Sequence, residues 1–313
     1  PADVKKEGSA YDLPLCIGIL AANEQLSPGG LENFMMLGEL SLDGSLVAVK
    51  GVLPIAINAR SEGFKSIIVP LENANEAAVV EGIHVYGFSH IREVTDFLNG
   101  KQQAEPFTFD PTLSEVTNDL LYDFKDVKGQ ETVKRALEIA AAGAHNLLMV
   151  GAPGSGKTML ARRLPGILPP MTVEESLETT KIHSVAGKLS RNCSLITTRP
   201  FRSPHHTISP IALIGGGSFP RPGEISLATN GVLFLDELTE FQRNVLEVMR
   251  QPLEDRKITI SRARYSVDYP ANFMLIASMN PCPCGYYNHP TKECTCSGSA
   301  IQHYLSKISG PLL

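Results

Sequence analysis

Apolar residues in the first hundred positions recur with helical spacing in some segments and with extended spacing in others. Residues 13–22 and 52–61 have the helical pattern, and residues 33–37 are a third helix candidate. Residues 40–49, interrupted by an Asp-Gly pair, predict a β-hairpin, and residues 66–70 predict a short buried strand. This alternation predicts a mixed α/β unit, in which helices cover a sheet.

The chain changes character after position 100. Residues 101–115 are polar, contain two prolines and have no hydrophobic periodicity, which predicts a linker. We therefore expect a smaller mixed α/β domain over 1–100, a linker over 101–122 and a second α/β domain over 123–313.

Wholly apolar strands are predicted in the second domain, at 147–150, 232–235 and 273–277, and an amphipathic helix at 132–144 precedes them. Strands that are apolar on both faces are typical of a buried parallel sheet. Ligands bind at the carboxyl ends of the strands in such sheets, so we expect the functional residues there.

Composition and charge limit the function classes. The 313 residues are 43% hydrophobic and 19% charged, which is ordinary for a globular protein with two cores. The net charge of −5 means that any nucleic-acid interface must be a local basic region. No apolar run is long enough for a bilayer, and the start lacks both a signal peptide and an initiator Met. We expect a cytoplasmic protein without a membrane partner, and the chain looks like an internal fragment.

The first apolar strand leads into a loop that matches the pattern G-x-x-x-x-G-K-[ST], and a helical segment follows the loop. Glycines allow backbone N–H groups to surround phosphates, and the helix N-terminus adds a favourable dipole. Lys157 would meet the β- and γ-phosphates of ATP, and the Thr158 hydroxyl would ligate Mg²⁺. A plain glycine-rich turn is the alternative. The expected nucleotide contacts are Gly151, Pro153, Gly154, Ser155, Gly156, Lys157, Thr158 and Met159.

Polar residues also follow the other two apolar strands. Asp236 and Glu237 end the second strand, where Asp236 would hold Mg²⁺ through water and Glu237 would orient and polarise the attacking water. Solvated acids at a strand end are the alternative. Asn280 follows the third strand and could contact the γ-phosphate or the lytic water, although Asn at such a position is usually a turn former.

These motifs, in this order and spacing, resemble an AAA+ ATPase. Residues 124–130 resemble the segment that flanks adenine in that superfamily, which implies contacts from Val127 and Gly129. Residues 257–272 resemble the extra hairpin of the magnesium-chelatase and MCM-helicase branch. Four further segments are similar to bacterial magnesium-chelatase-like ATPases of the ComM/YifB type: 199–206, 214–217, 222–224 and 280–285.

The resemblance has several implications. It implies a homo-hexameric ring that acts on DNA, in competence or branch migration, with ATP as its small-molecule substrate. It places the lid and the arginines that complete a neighbouring ATP site beyond residue 313, so that this chain would hydrolyse ATP poorly. A magnesium-chelatase motor subunit, a protein-remodelling ATPase and a peptidase are the alternatives.

Residues 1–100 are similar to the Lon-type domain of the same subgroup. In the matching register, Ala10 takes the position of the catalytic serine and Leu53 that of the lysine, with Ser9 and Lys50 nearby. A Ser–Lys dyad needs both groups within hydrogen-bond reach. We therefore expect a non-proteolytic domain.

The segment 181–222 contains six Lys or Arg residues and no Asp or Glu. Backbone phosphates of nucleic acid would suit such a segment, and related ring ATPases turn these loops toward the pore. A solvated loop, or contacts with the next subunit, are the alternatives. The expected DNA contacts are Arg199, Arg202, Arg221, Arg262 and Arg264.

Four of the six cysteines lie within fifteen residues, as two C-x-C pairs: Cys282, Cys284, Cys294 and Cys296. Four thiolates can form a closed, structural Zn²⁺ site, with His289 as a possible substitute ligand. Reduced cysteines in a surface loop are the alternative.

Overall fold

Two units make up the chain in the computed structural model, which describes residues 9–26, 29–110, 122–190, 193–217, 220–261 and 266–308. The first unit consists of residues 1–115 and 183–196, and the second of residues 116–182 and 197–313. No helix in the described ranges is long and apolar enough to cross a membrane.

The first unit is built on a three-stranded parallel sheet, in which β4 (Ser66–Pro70) lies between β1 (Phe34–Met36) and β5 (His84–Phe88). A short antiparallel hairpin, β2–β3, follows β1. The helices are α1 (Asp12–Ala22), α2 (Val52–Ser61), α3 (Leu71–Ala77) and α4 (Ile91–Leu98). The strands are β1 (Phe34–Met36), β2 (Glu39–Leu40), β3 (Leu46–Val47), β4 (Ser66–Pro70) and β5 (His84–Phe88).

Most elements predicted for this unit are confirmed, namely the helices near 13–22 and 52–61, the hairpin and the strand at 66–70. The helix predicted at 33–37 is wrong, because this segment forms β1 and pairs with β4. Met35 packs on one side of the sheet, whereas Phe34 and Met36 pack into a second cluster of core residues. A short apolar run has no periodicity that separates helix from strand, so its sheet partner decides.

The observed units differ from the predicted boundaries in two places. The N–H of Phe107 donates to the carbonyl of Val85 on β5, and its ring packs on the core, so the predicted linker begins within the first unit. Residues 111–121 of the predicted linker lie outside the described residues. His183–Ile196, predicted in the second domain, belongs to the first unit.

Glu76 connects the segment 183–196 to the rest of the first unit through a buried hydrogen-bond network. Its carboxylate accepts bonds from the N–H of Leu53 (2.8 Å), from Nδ2 of Asn73 (3.2 Å) and from the Ser184 hydroxyl. Burial raises the pKa of Glu76 above its ordinary value of 4.5. The folded protein therefore binds the carboxyl proton of Glu76 more tightly than the unfolded chain does. The resulting stabilisation is complete below pH 4.5 and is lost as the pH rises through the folded-state pKa.

The Glu76→Gln variant is expected to lose this part of the pH dependence of thermal unfolding, since Gln has no proton to release. It should also be less stable by about 1–3 kcal/mol, because its amide places a donor against the other donors of the network. Melting curves recorded across the acidic and neutral range test both points. The exposed Glu62→Gln is the control, and a variant profile parallel to that of the native chain would contradict the prediction.

The second unit contains a four-stranded parallel sheet in the order β6-β13-β10-β7, and two antiparallel pairs, β8–β9 and β11–β12. The helices are α5 (Glu131–Gly143), α6 (Lys157–Ala161), α7 (Val173–Ala186, of which residues 183–186 belong to the first unit), α8 (Pro210–Ile214), α9 (Glu224–Leu227), α10 (Arg243–Glu247), α11 (Arg250–Asp255) and α12 (Gly298–Leu305). The strands are β6 (Leu147–Val150), β7 (Phe201–Arg202), β8 (Gly215–Gly216), β9 (Arg221–Pro222), β10 (Val232–Leu235), β11 (Lys257–Ser261), β12 (Ser266–Pro270) and β13 (Met274–Met279).

The parallel sheet confirms the predicted fold class and positions the candidate site. β10 and β13 are buried along their whole length, as expected for strands covered on both faces. Since β13 lies between β6 and β10, the carboxyl ends of these three strands meet at one edge. The predicted hairpin at 257–272 is also present, as β11 and β12.

Candidate active site

The loop at 151–156 connects β6 to α6 and curls around the ammonium group of Lys157. Nζ of Lys157 donates to the carbonyl oxygens of Gly151 (2.7 Å) and Ala152 (3.1 Å), and to Oδ1 of Asn280 (3.3 Å). Gly156 has φ +88° at the start of α6, a left-handed conformation that favours glycine. Partial burial lowers the pKa of Lys157, and the carboxylates of Asp236 and Glu237 oppose that shift.

Asp236 is held by three donors at the end of β10. The Thr158 hydroxyl donates to Oδ2 of Asp236 (2.6 Å), while the Ser278 hydroxyl and the N–H of Glu237 (3.1 Å) donate to Oδ1. A hydroxyl next to a carboxylate is a hard oxygen pair that suits Mg²⁺. The residues predicted to hold this metal ion are therefore in contact with each other.

Glu237 presents its carboxylate differently from Asp236. Its backbone is left-handed (φ +55°), and its side chain is 58% exposed, with Nδ1 of His206 at 3.7 Å from Oε2. Glu237, His206 and Asn280 line a cavity of about 580 Å³ that α12 also lines through Tyr304. The exposed carboxylate can therefore contact water or a ligand in that cavity.

A second cavity, of about 370 Å³, lies between α5 and the loop and is lined by Gln130, Val133 and Lys157 among others. Nε2 of Gln130 donates to the carbonyl of Ser155 (3.1 Å). Val127 is only 4% exposed and packs in the core of the second unit, since its side chain is apolar. Among the described residues, α5, β6 and the loop supply the lining of this cavity, and Val127 is not part of it. Gly129 lies in the turn before α5, at φ +69°.

The structure brings Lys157, Thr158, Asp236, Glu237 and Asn280 together at one sheet edge. Sequence reasoning missed the contact of Asp236 with Ser278. The register pairs Leu235 with Ala277, so the residues that follow are neighbours. Sequence patterns do not encode strand register, although a hydroxyl two residues before Asn280 was a visible signal. The contacts of Gln130 and His206 were also missed.

Two arginines predicted to bind DNA are instead paired within the second unit. Arg199 forms an ion pair with Glu175 (3.1 Å) and also donates to the carbonyls of Pro169 and Asn230. Arg202 forms a two-pronged pair with Glu224 (2.7 and 2.8 Å). Acids outside the segment 181–222 therefore pair with both arginines, and a contact of either arginine with DNA stays a prediction.

The remaining basic residues have different positions. Arg221 is exposed on β9. Arg262 and Arg264 lie outside the described residues, between β11 and β12. Residues 181–186 complete α7 and are helical rather than part of a loop.

The possible peptidase groups of the first unit lie in different surroundings. The Ser9 hydroxyl donates to Glu39 on β2. Lys50 lines a cavity of about 190 Å³ together with Glu76 and Ser184. The absence of proteolysis stays a prediction.

Four cysteine side chains converge directly after β13, and all their sulfur atoms lie within 4.8 Å of one another: Cys282, Cys284, Cys294 and Cys296. Cys282 is fully buried. The N–H of Tyr286 is the main cause that lowers the pKa of Cys284 to about 6. His289, the predicted substitute ligand, is not a member of this group among the described residues.

The chain belongs to the magnesium-chelatase family. The protein-family model described as magnesium chelatase, subunit ChlI, matches residues 123–313. A second family model, described as subunit ChlI of Mg-chelatase, matches residues 1–73. The magnesium-chelatase 38 kDa subunit of Rhodobacter capsulatus is 24% identical over 55% of this chain and 53% of its own length. A solved complex of the magnesium-chelatase subunits BchI and BchD has TM-score 0.41 and 21% identity over 58% of each chain.

Within this family the chain is of the ComM/YifB type. It is 46% identical to competence protein ComM of Haemophilus influenzae and 47% identical to YifB of Escherichia coli, in both cases over the whole of this chain. The chain spans 61% of ComM and 60% of YifB.

Proposed function

We propose that this chain binds ATP with Mg²⁺ and hydrolyses it as part of a ring motor built from copies of itself. The observation that carries this proposal is the convergence of Lys157, the Thr158–Asp236 pair and Glu237 at one sheet edge. Positioned charges of this kind provide most of the catalysis in phosphoryl transfer. The glycine-rich loop and the helix N-terminus supply backbone N–H groups for the phosphates.

Each group of the site has a role in this proposal. The Lys157 ammonium binds the β- and γ-phosphates, and adenine occupies the cavity beside Gln130 and Val133. Thr158 and Asp236 hold Mg²⁺, which when bound neutralises phosphate charge. Glu237, exposed in the larger cavity, orients the attacking water. Asn280 accepts a hydrogen bond from Lys157 and places its amide near the γ-phosphate.

We further propose that the motor acts on DNA. Support comes from the similarity to competence protein ComM and from basic residues on β9 and within the segment 257–272. These residues are Arg221, exposed on β9, and Arg262 and Arg264, which the sequence places between β11 and β12. Arg199 and Arg202, which pair with Glu175 and Glu224, are further predicted contacts.

ATP hydrolysis by the full-length gene product, with and without single-stranded and forked DNA at two salt concentrations, tests both parts. We expect hydrolysis that DNA stimulates, and a stimulation that salt weakens, because each phosphate contact releases about 0.7–0.9 counterions. The Arg221→Ala variant should reduce the salt dependence, with Arg243→Ala as the control. Hydrolysis that is indifferent to DNA would overturn the DNA proposal and favour a protein or metal-insertion partner. Absence of hydrolysis would overturn the ATPase proposal.

A further inference from the structure

The cysteine knuckle, residues 282–296, has the spacing of a site for one metal ion. The sulfur of Cys282 lies 3.4 Å from that of Cys284 and 3.7 Å from that of Cys294, and Cys284 and Cys294 are 3.5 Å apart. Four thiolates at the usual Zn–S distance of about 2.3 Å form a tetrahedron with edges of about 3.8 Å. The observed separations are close to this edge and far from the roughly 2.05 Å of a disulfide.

Backbone N–H groups point at two of these sulfur atoms. The N–H of Tyr287 donates to Sγ of Cys282 (3.3 Å), and the N–H of Cys284 donates to Sγ of Cys296 (3.4 Å). Hydrogen bonds to the ligand atoms orient them and stabilise the charge that they carry when they bind a metal ion. A soft, four-sulfur set with no other ligand suits Zn²⁺ in a closed structural site.

The knuckle also contacts the phosphate-binding loop. Gly285 has φ +85°, and a Cβ added there would lie 2.5 Å from Cδ of Pro153. Only glycine fits this position, since any side chain would collide with the loop. The knuckle begins two residues after Asn280, which accepts a hydrogen bond from Lys157. The knuckle thus lies against Pro153 within the glycine-rich loop, and Asn280, just before the knuckle, bonds to the lysine that follows the loop.

We propose that the four cysteines bind one structural Zn²⁺, and that the zinc-bound knuckle supports the phosphate-binding loop through the contact between Gly285 and Pro153. Zinc would organise a short segment that has few apolar residues of its own to pack. Loss of the metal should then loosen the loop and weaken nucleotide binding. This second part rests on the proposed ATP site, whereas the zinc site does not.

The zinc content of the chain, purified under reducing conditions and measured by elemental mass spectrometry, tests the first part. We expect about one zinc ion per chain, as in closed four-cysteine sites. Replacing Cys284 and Cys296 together by Ser should remove most of the zinc, whereas the control Cys16→Ser should retain it. Iron in place of zinc, a metal-free native chain or an unchanged content in the double variant would overturn the zinc site.

Binding of a fluorescent ATP analogue tests the second part. Removal of zinc by a chelator should weaken binding several-fold, and readdition of zinc should restore it. Gly285→Ala should weaken binding while the zinc content stays near that of the native chain, and Gly298→Ala is the control because a Cβ there meets no atom within 4 Å. Equal affinity with and without zinc would overturn the support of the loop. If no variant or native chain binds the analogue, the ATP site itself fails, and the zinc content still decides the metal site.

Discussion

The Glu237→Gln variant is expected to bind ATP and to lose almost all turnover. Gln has the same shape as Glu, but it lacks the negative charge that orients and polarises the attacking water, and a catalytic group of this kind contributes a factor of about 10²–10⁴ in rate. The exposed position of Glu237 in the larger cavity means that the substitution disturbs no buried contact. Hydrolysis by the full-length gene product and binding of a fluorescent ATP analogue measure the two effects separately.

Two further variants make this result specific. Lys157→Ala should lose binding as well as turnover, because it removes the charge that meets the phosphates. Glu240→Gln removes a second acid from the lining of the same cavity and should hydrolyse ATP normally. ATP turnover by Glu237→Gln at the native rate would contradict the assignment of Glu237 as the residue that positions water.

The Arg199→Ala variant is expected to destabilise the second unit by about 3 kcal/mol, because it leaves Glu175 and three backbone carbonyls without their charged partner. The Arg199 side chain is only 14% exposed, and its guanidinium joins Glu175 to Pro169 and Asn230. Chemical denaturation of the chain, followed by circular dichroism, measures this loss. Arg199→Lys should recover only part of it, since an ammonium group cannot make the same set of bonds.

Arg243→Ala is the matched control for this experiment. Arg243 also forms an ion pair, with Glu247 on the same helix, but its side chain is 78% exposed. Exposed pairs of this kind contribute roughly 0–1 kcal/mol. Unchanged stability of Arg199→Ala, together with weakened DNA binding, would contradict the structural role and support the DNA contact expected from the sequence.

Local patterns predicted much of the second unit. The strands at 147–150 and 232–235 are present as expected, because a glycine-rich loop or a pair of carboxylates directly follows each apolar run. The hairpin at 257–272 is present because its residues alternate between polar and apolar. The order of the motifs also predicted that Lys157, Asp236 and Asn280 would meet, since strand ends in a parallel sheet share one edge. The apolar run at 33–37 has neither a periodicity nor such a motif after it, and it was less informative. Residues 33–37 form a strand because β4 offers a partner.

The sequence by itself determined the elements and chemistry that depend on neighbouring residues. Among these are the loop around Lys157, the carboxylates after β10 and the two C-x-C pairs. Only the tertiary structure decided which distant groups pair. The strand register put Ser278 beside Asp236, Glu76 held Ser184, and Glu175 neutralised Arg199. The physical reason is that hydrogen bonds and ion pairs depend on distances of a few ångströms, which chain folding sets and which spacing along the sequence does not.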